Sequence, residues 1–216
     1  MSLLSDFLLQ DSDLINNNRN RVSVCLCIDT SKSMILEGRM DRVKEGVRKF
    51  IRDSKDNIYA AGAIDLCIVT FGGKQAEVLQ PFKNVRSIPQ ELRFEPSGGT
   101  PMGQAVELAL EQISKNRAKY ESYGISSFKP WLIIMSDGAA DDDITNAALK
   151  VRNLLQKRRL KVRCIDMSGG SEANDLRRFA EHGEVETIDA LGLSDFFDML
   201  SRSAASLSTD TLEQDY

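Results

Sequence analysis

A single histidine, His182, stands among 216 residues. Its isolation excludes the chemistries that need two imidazoles or an imidazole beside a nucleophile: a zinc centre of the His-rich kind, and a Ser-His or Cys-His pair. The four cysteines, Cys25, Cys27, Cys67 and Cys164, include no C-x-x-C spacing, so neither a zinc ribbon nor a disulfide framework is written here. Each lies inside a short apolar run and reads as a small core residue of a reducing compartment. No stretch approaches the roughly 18 apolar residues of a membrane span. The start, "MSLLSDFLLQDSDLINNN", has acids where a signal peptide would be basic and then apolar. The sequence therefore predicts a cytoplasmic protein with no membrane association. A phosphate loop of the G-x-x-x-x-G-K-[ST] type is missing, as is a G-x-G-x-x-G after the first strand. Clustered positive charge is scarce in a chain of formal charge -4, which argues against nucleic acid as a partner. The densest basic run, "QKRRLKVR" (156–163), reads as the solvated end of a helix leading into a strand.

What is present is an ordinary globular composition, 42% hydrophobic and 28% charged. Apolar runs of strand length alternate with helical patterns. Residues 21–29, 63–71, 129–137, 160–167 and 184–189 read as strands, and 76–82, after a glycine pair, as a hairpin partner. Helices are predicted over 38–55, 101–120, 142–158, 171–181 and 193–207. This order specifies an α/β fold: a doubly wound, mostly parallel sheet with one antiparallel edge strand and helices on both faces. One domain spans 21–206. Residues 1–20 form an N-terminal extension whose "LLSDFLL" is expected to dock as a short helix, and 207–216 an acidic, frayed tail.

In such a sheet ligands bind beyond the carboxyl ends of the strands, near the reversal of strand order. Three loops carry suitable chemistry to that edge. "DTSKSM" ends the first strand and offers Asp29, Ser31 and Ser33. "PSGGTPMG" turns on two glycines and presents Thr100 at a helix start. "MSDGAADDD" ends a later strand with Asp137. Two carboxylates and three hydroxyls are all hard oxygen donors, which suit Mg²⁺ or Mn²⁺ rather than zinc. If a carboxylate acts through water, the cation keeps an unsatisfied position that an acidic side chain of another protein could fill. D-x-S-x-S alone is weak, arising by chance in roughly one chain in twenty of this length. Its place after a strand, with G-G-T before a helix and S-D-G after another strand, is specific.

Asp29-x-Ser31-x-Ser33, Thr100 and Asp137 in "SDG" together resemble the metal-ion-dependent adhesion site of the von Willebrand factor A domain family, and the element order over 21–206 is similar to that fold. The stretch from "SGGTPMGQAVELALEQ" to "KPWLIIMSDGAADD" further resembles the TerY-like bacterial A-domain proteins of tellurium-resistance and stress clusters. The resemblance implies Ser31, Ser33 and Thr100 as direct hydroxyl ligands, with Asp29 and Asp137 acting largely through water. It also implies a metal-dependent protein phosphatase and a protein kinase as candidate partners, in stress-response phosphorylation signalling. Lys32 stands where many members of the family have glycine, and would set a positive charge beside an incoming carboxylate.

Other residues read more plainly. Asp141, Asp142 and Asp143 suit the start of the helix that follows them. Trp131 reads as core or subunit surface. Arg42, Lys44, Arg48 and Lys49 read as solvated, and His182 has no assigned role. The function expected is a Mg²⁺-dependent protein-interaction module, not an enzyme. The alternative is a metal-dependent phosphotransferase or hydrolase using Asp29, but the general acid that enzymes of that kind carry two residues on is here Ser31.

Overall fold

The computed structural model describes residues 20–170, 174–187 and 190–210. The predicted N-terminal extension lies outside these residues, except for Asn20, and so does the last part of the tail.

The sheet has six strands: β1 (Val22–Asp29), β2 (Ile64–Gly72), β3 (Gln75–Asn84), β4 (Trp131–Ser136), β5 (Lys161–Asp166) and β6 (Glu186–Thr187). Their spatial order is β3-β2-β1-β4-β5-β6. Only β3 runs antiparallel, as the hairpin partner of β2 at one edge. Every other pairing is parallel, with Cys25 opposite Cys67 on one side of β1 and Leu132 on the other. The chain leaves β1 toward β2, then returns across β1 to reach β4, so strand order reverses between β1 and β4. The expected doubly wound sheet is the observed one.

Alternation along the strands divides the core in two. Val22, Val24, Leu26 and Ile28 point to one face, where α1 (Arg39–Asp56) brings Val43, Val47, Phe50 and Ile51, and α6 (Ala190–Asp210) brings Leu193, Phe196, Phe197 and Leu200. Cys25, Cys27, Cys67 and Cys164 point to the other face with Val69, Leu132 and Ile134. There α3 (Met102–Ser122) and α4 (Thr145–Gln156) close over them with small residues, Ala105, Ala109, Ala147 and Ala148, that let the helices approach closely. All four cysteines are free thiols, buried as predicted. Trp131 is a core residue, 7% exposed.

Several local features differ from the sequence expectation. A short helix, α2 (Ile58–Ala63), follows α1 directly; it is capped by the Asn57 side chain, which accepts from the backbone N–H groups of Tyr59 and Ala60. A 3-10 segment (Lys32–Gly38) precedes α1 and includes the left-handed residues Glu37 and Gly38. The helix near residue 174 is reduced to α5 (Asn174–Arg177) within the described residues, and α6 extends three residues beyond Leu207. Lys49 is not solvated: it bridges Asp53 and Asp198, tying α1 to α6.

The strand-start pole of the sheet holds a buried polar cluster. Arg21 pairs with Asp65 at 3.3 Å, and the Tyr120 hydroxyl donates to Asp65 at 2.5 Å. Asn116 donates to the Ser23 hydroxyl at 2.9 Å. Buried polar groups are retained where they find partners, and this set ties β1, β2 and α3 together at the end remote from the predicted site.

Candidate metal centre

The site is built at the carboxyl ends of β1 and β4, in the crevice that the reversal of strand order opens. Asp29 is the last residue of β1 and fully buried. Its Oδ1 accepts the Ser31 backbone N–H at 2.7 Å, and its Oδ2 accepts the Ser136 hydroxyl at 2.5 Å. Ser136, which sequence reasoning missed, is the last residue of β4 and ties the two strand ends across the crevice. The turn that Asp29 caps in this way presents Ser31 and Ser33 on one side. Their hydroxyls are 2.9 Å apart, and the Ser33 hydroxyl donates to Asp137 Oδ1 at 2.8 Å. Ser33 is exposed while Asp29, Ser31 and Asp137 are buried, so the oxygens lie in a recess with Ser33 at its mouth. Lys32 has no left-handed backbone; the loop does not call on glycine's freedom at this position.

Thr100 stands apart from this chain of hydrogen bonds. Its loop is brought against the first one: the Ser97 N–H donates to the Thr30 carbonyl at 2.8 Å, and the Lys32 stem lies over Gly98. Gly99 has φ +84°, and a Cβ there would come within 2.1 Å of the Gly73 carbonyl, so the second glycine of "SGGT" is required by the closeness of the β2–β3 hairpin. Thr100 itself is held through its backbone, with its N–H on Asp141 Oδ2 at 2.7 Å. The structure therefore gathers Asp29, Ser31, Ser33 and Asp137 into one hydrogen-bonded set and places Thr100 beside it without a bond to it.

The acidic run after Asp137 corrects an expectation. Only Asp143 serves the helix that follows, accepting from the Thr145 N–H at 2.9 Å. Asp142 caps α3 instead, accepting from the Gly103 and Gln104 N–H groups at 2.9 and 2.8 Å. Asp142 does sit at a helix N-terminus, but the one nearest it in space belongs to a different part of the chain.

The second residue missed is Arg39. At the first turn of α1 its Nη1 donates to Asp137 Oδ2 at 2.5 Å and its Nη2 to Glu37 Oε2 at 2.9 Å. The Arg39 side chain is 13% exposed and that of Asp137 fully buried. Asp137 is thus divided between a hydroxyl and a guanidinium. Among the described residues Asp29 has no cation paired with it. Burial, opposed by the Ser136 and Ser31 hydrogen bonds and reinforced by the negative charge of Asp137, pushes its carboxyl up to about 6.

These residues fit a hard divalent cation. Among the described residues no three His, Cys, Asp or Glu side chains gather as a metal cluster, so binding would rest on the serine hydroxyls with Asp29 and Asp137. A buried carboxyl that keeps its proton toward neutrality is one whose negative charge lacks compensation, and a dication is the compensation this oxygen-only surround would accept. His182 is exposed on a left-handed turn after α5 and takes no part.

A doubly wound sheet with a ligand crevice at its switch point defines a Rossmann-like α/β domain, and comparison with known proteins narrows this. A family profile for the von Willebrand factor type A domain matches residues 23–198. The chain belongs to that family, whose fold is a common protein-interaction module. Comparison with curated proteins returned no match. Among solved structures, the pilus adhesin SpaC from Lactobacillus rhamnosus GG in its open conformation is similar with a TM-score of 0.65 at 13% identity, over 88% of this chain and 31% of that one. The vWF domain of the type V pili tip protein Mfa5 from Porphyromonas gingivalis matches with a TM-score of 0.60 at 12% identity, over 86% and 95%. Proximal thread matrix protein 1 from the mussel byssus matches with a TM-score of 0.60 at 15% identity, over 86% and 48%. The chain thus spans about a third to a half of the adhesin and the byssus protein. At these identities the likeness is one of fold. No helix among the described residues is long and apolar enough to cross a membrane.

Proposed function

We propose that this domain is a Mg²⁺- or Mn²⁺-dependent protein-interaction module that captures an Asp or Glu side chain of a partner. One observation carries the reading: Asp29, Ser31, Ser33 and Asp137 converge as an oxygen-only recess at the switch point of the sheet. Ser31, Ser33 and Asp137 would hold the cation, with Thr100 beside them and Asp29 fixing the serine loop. The bound cation would supply a Lewis-acidic position for a carboxylate. Beside the recess, Ile35 and Leu36 stand 55% and 61% exposed, giving a partner an apolar contact next to its acidic one.

The phosphotransferase alternative is disfavoured because both Asp29 oxygens already accept hydrogen bonds and the side chain is sealed from solvent. The similarity to TerY-like proteins extends the proposal to a cytoplasmic role in bacterial tellurite-resistance or stress-response phosphorylation signalling. A metal-dependent protein phosphatase and a protein kinase are the partners to try first.

Titration calorimetry with Mg²⁺ and Mn²⁺ on the wild type and on Ser33→Ala and Asp137→Ala tests the metal, and pull-downs of the candidate phosphatase and kinase in Mg²⁺ and in EDTA test its use. Binding of metal by the wild type alone, with partner retention only in Mg²⁺, is expected. Equal retention by wild type in Mg²⁺, wild type in EDTA and Asp137→Ala would defeat the proposal.

A further inference from the structure

We infer a second ligand site, for a phosphate monoester, at the pole of the sheet opposite the metal recess. There a concavity of about 260 Å³ opens between the end of α3 and the turns that lead into β4 and β5. Ser23 in its floor and Asp29 lie six residue steps apart along β1, roughly 20 Å of strand.

Its walls carry Arg117, Lys129, Arg158 and Arg159. The one acid lining it, Glu121, is already paired with Arg117 at 2.9 Å. Lys129, Arg158 and Arg159 make no side-chain ion pair or hydrogen bond among the described residues, while most of the cations along α1 and α3 are partnered. In a chain of net charge -4, four cations around one hollow and one compensated acid form a local excess that attracts an anion.

Local structure holds these charges in place. Arg158 sits just past the end of α4 with φ +53°, the left-handed position that glycine or asparagine normally fills. An arginine held there, against the backbone preference of an L side chain, sets a guanidinium at the rim of the hollow. The floor is polar and buried: the Ser23 hydroxyl is 3.4 Å from the Tyr120 hydroxyl and accepts from Asn116. The Asp65 carboxylate beneath it is neutralised by Arg21. Phe128 and Pro130 add an apolar wall for the carbon part of a small ligand. Guanidinium forks and an ammonium over hydroxyls match the several acceptor oxygens of a phosphate dianion better than a single carboxylate. The hollow is below the usual 300–1,000 Å³ of drug-sized pockets, which suits a phosphoryl group with a short carbon stem.

The test is NMR titration of the full chain with inorganic phosphate, O-phosphoserine and a short phosphoserine peptide, beside unphosphorylated serine and its peptide. Saturable shifts at Ser23, Lys129 and Arg159 amides with the phosphorylated probes only are expected. Arg158→Gln/Arg159→Gln should weaken them at least about tenfold with its thermal midpoint kept, as both side chains are exposed. Asp137→Ala and EDTA should change nothing, which separates this site from the metal recess. A peptide bound more tightly than the free amino acid assigns the phosphate to a protein, and equal binding assigns it to a small molecule; either supports the site. Shifts spread over the whole basic surface, no saturation, or an unchanged double variant would overturn it.

Discussion

Replacing Arg39 by Gln isolates the part of the recess that sequence reasoning did not see. The change removes the guanidinium from Asp137 Oδ2 and leaves a carboxylate whose side chain has no exposure. Taking one partner from a buried ion pair costs about 3–5 kcal/mol. Here the Arg39 end is 13% exposed and Ser33 still donates to Oδ1, which brings the expected loss to about 2–3 kcal/mol. For a domain of this size that is a fall of roughly 5–10 °C in the melting midpoint in EDTA. A cation bound only by the folded state adds about 2.7 kcal/mol at a hundred times its dissociation constant. Because the guanidinium and a dication would share Asp137, Mg²⁺ should raise the midpoint of the variant by more than that of the wild type. Paired thermal melts in EDTA and in Mg²⁺ read both effects. A variant within about 1 °C of the wild type in EDTA would show that the ion pair holds nothing. A larger Mg²⁺ gain in the wild type would show that Arg39 assists the metal rather than competing with it.

Four further variants test the same geometry. The Asp29 carboxyl is raised from 3.8 to about 6 in the folded state, so the fold binds the extra proton between those values; metal-free stability should fall by roughly 3 kcal/mol as pH rises through that window, and Asp29→Asn should flatten the urea-midpoint profile and abolish Mg²⁺ stabilisation. A steeper profile in Asp29→Asn would refute the assignment. Asp142→Ala strips two N–H acceptors from the start of α3 and should cost about 0.5–2 kcal/mol in urea unfolding, the range of a lost helix cap, although Asp142 is distant from α3 in sequence. Gly99→Ala, which drives a Cβ toward the Gly73 carbonyl at positive φ, should destabilise by more than about 2 kcal/mol. Gly138→Ala, with no atom within 4 Å of the added carbon, should be near neutral in the same denaturation assay.

The readability of this chain followed the range of the interactions. Strand ends are marked locally, by an apolar run that stops in an acid, so the placement of Asp29 and Asp137 at neighbouring strand ends followed from the α/β order alone. Ser31 and Ser33 came with Asp29 because they share its turn. Arg39 did not: its partner lies 98 residues away, and in sequence it is one more cation at a helix start. Asp142 misled for the same reason, since charge near a helix N-terminus was legible but the identity of the helix was not. The same holds for Lys49, whose second partner, Asp198, lies 149 residues on. Thr100 shows the converse, a position legible as a loop facing the site whose side chain the structure leaves outside the bonded set. The basic run before β5 was legible as charge, but its enclosure with Arg117 and Lys129 depends on where α3 ends.

The four thiols lie beneath α3 and α4 on one face of the sheet. The Cys25 thiol is raised well above its usual range, first by its hydrogen bond with Cys67 and then by burial. Burial raises Cys27 likewise, and lifts Cys164 to about 12. Since the thiolate is the reactive form, an electrophile or oxidant finds neither access nor a nucleophile while the sheet is closed. The cysteines therefore act as a clock for opening: their alkylation rate counts how often the helices of that face lift away, and any ligand at either pole that steadies the domain should slow it.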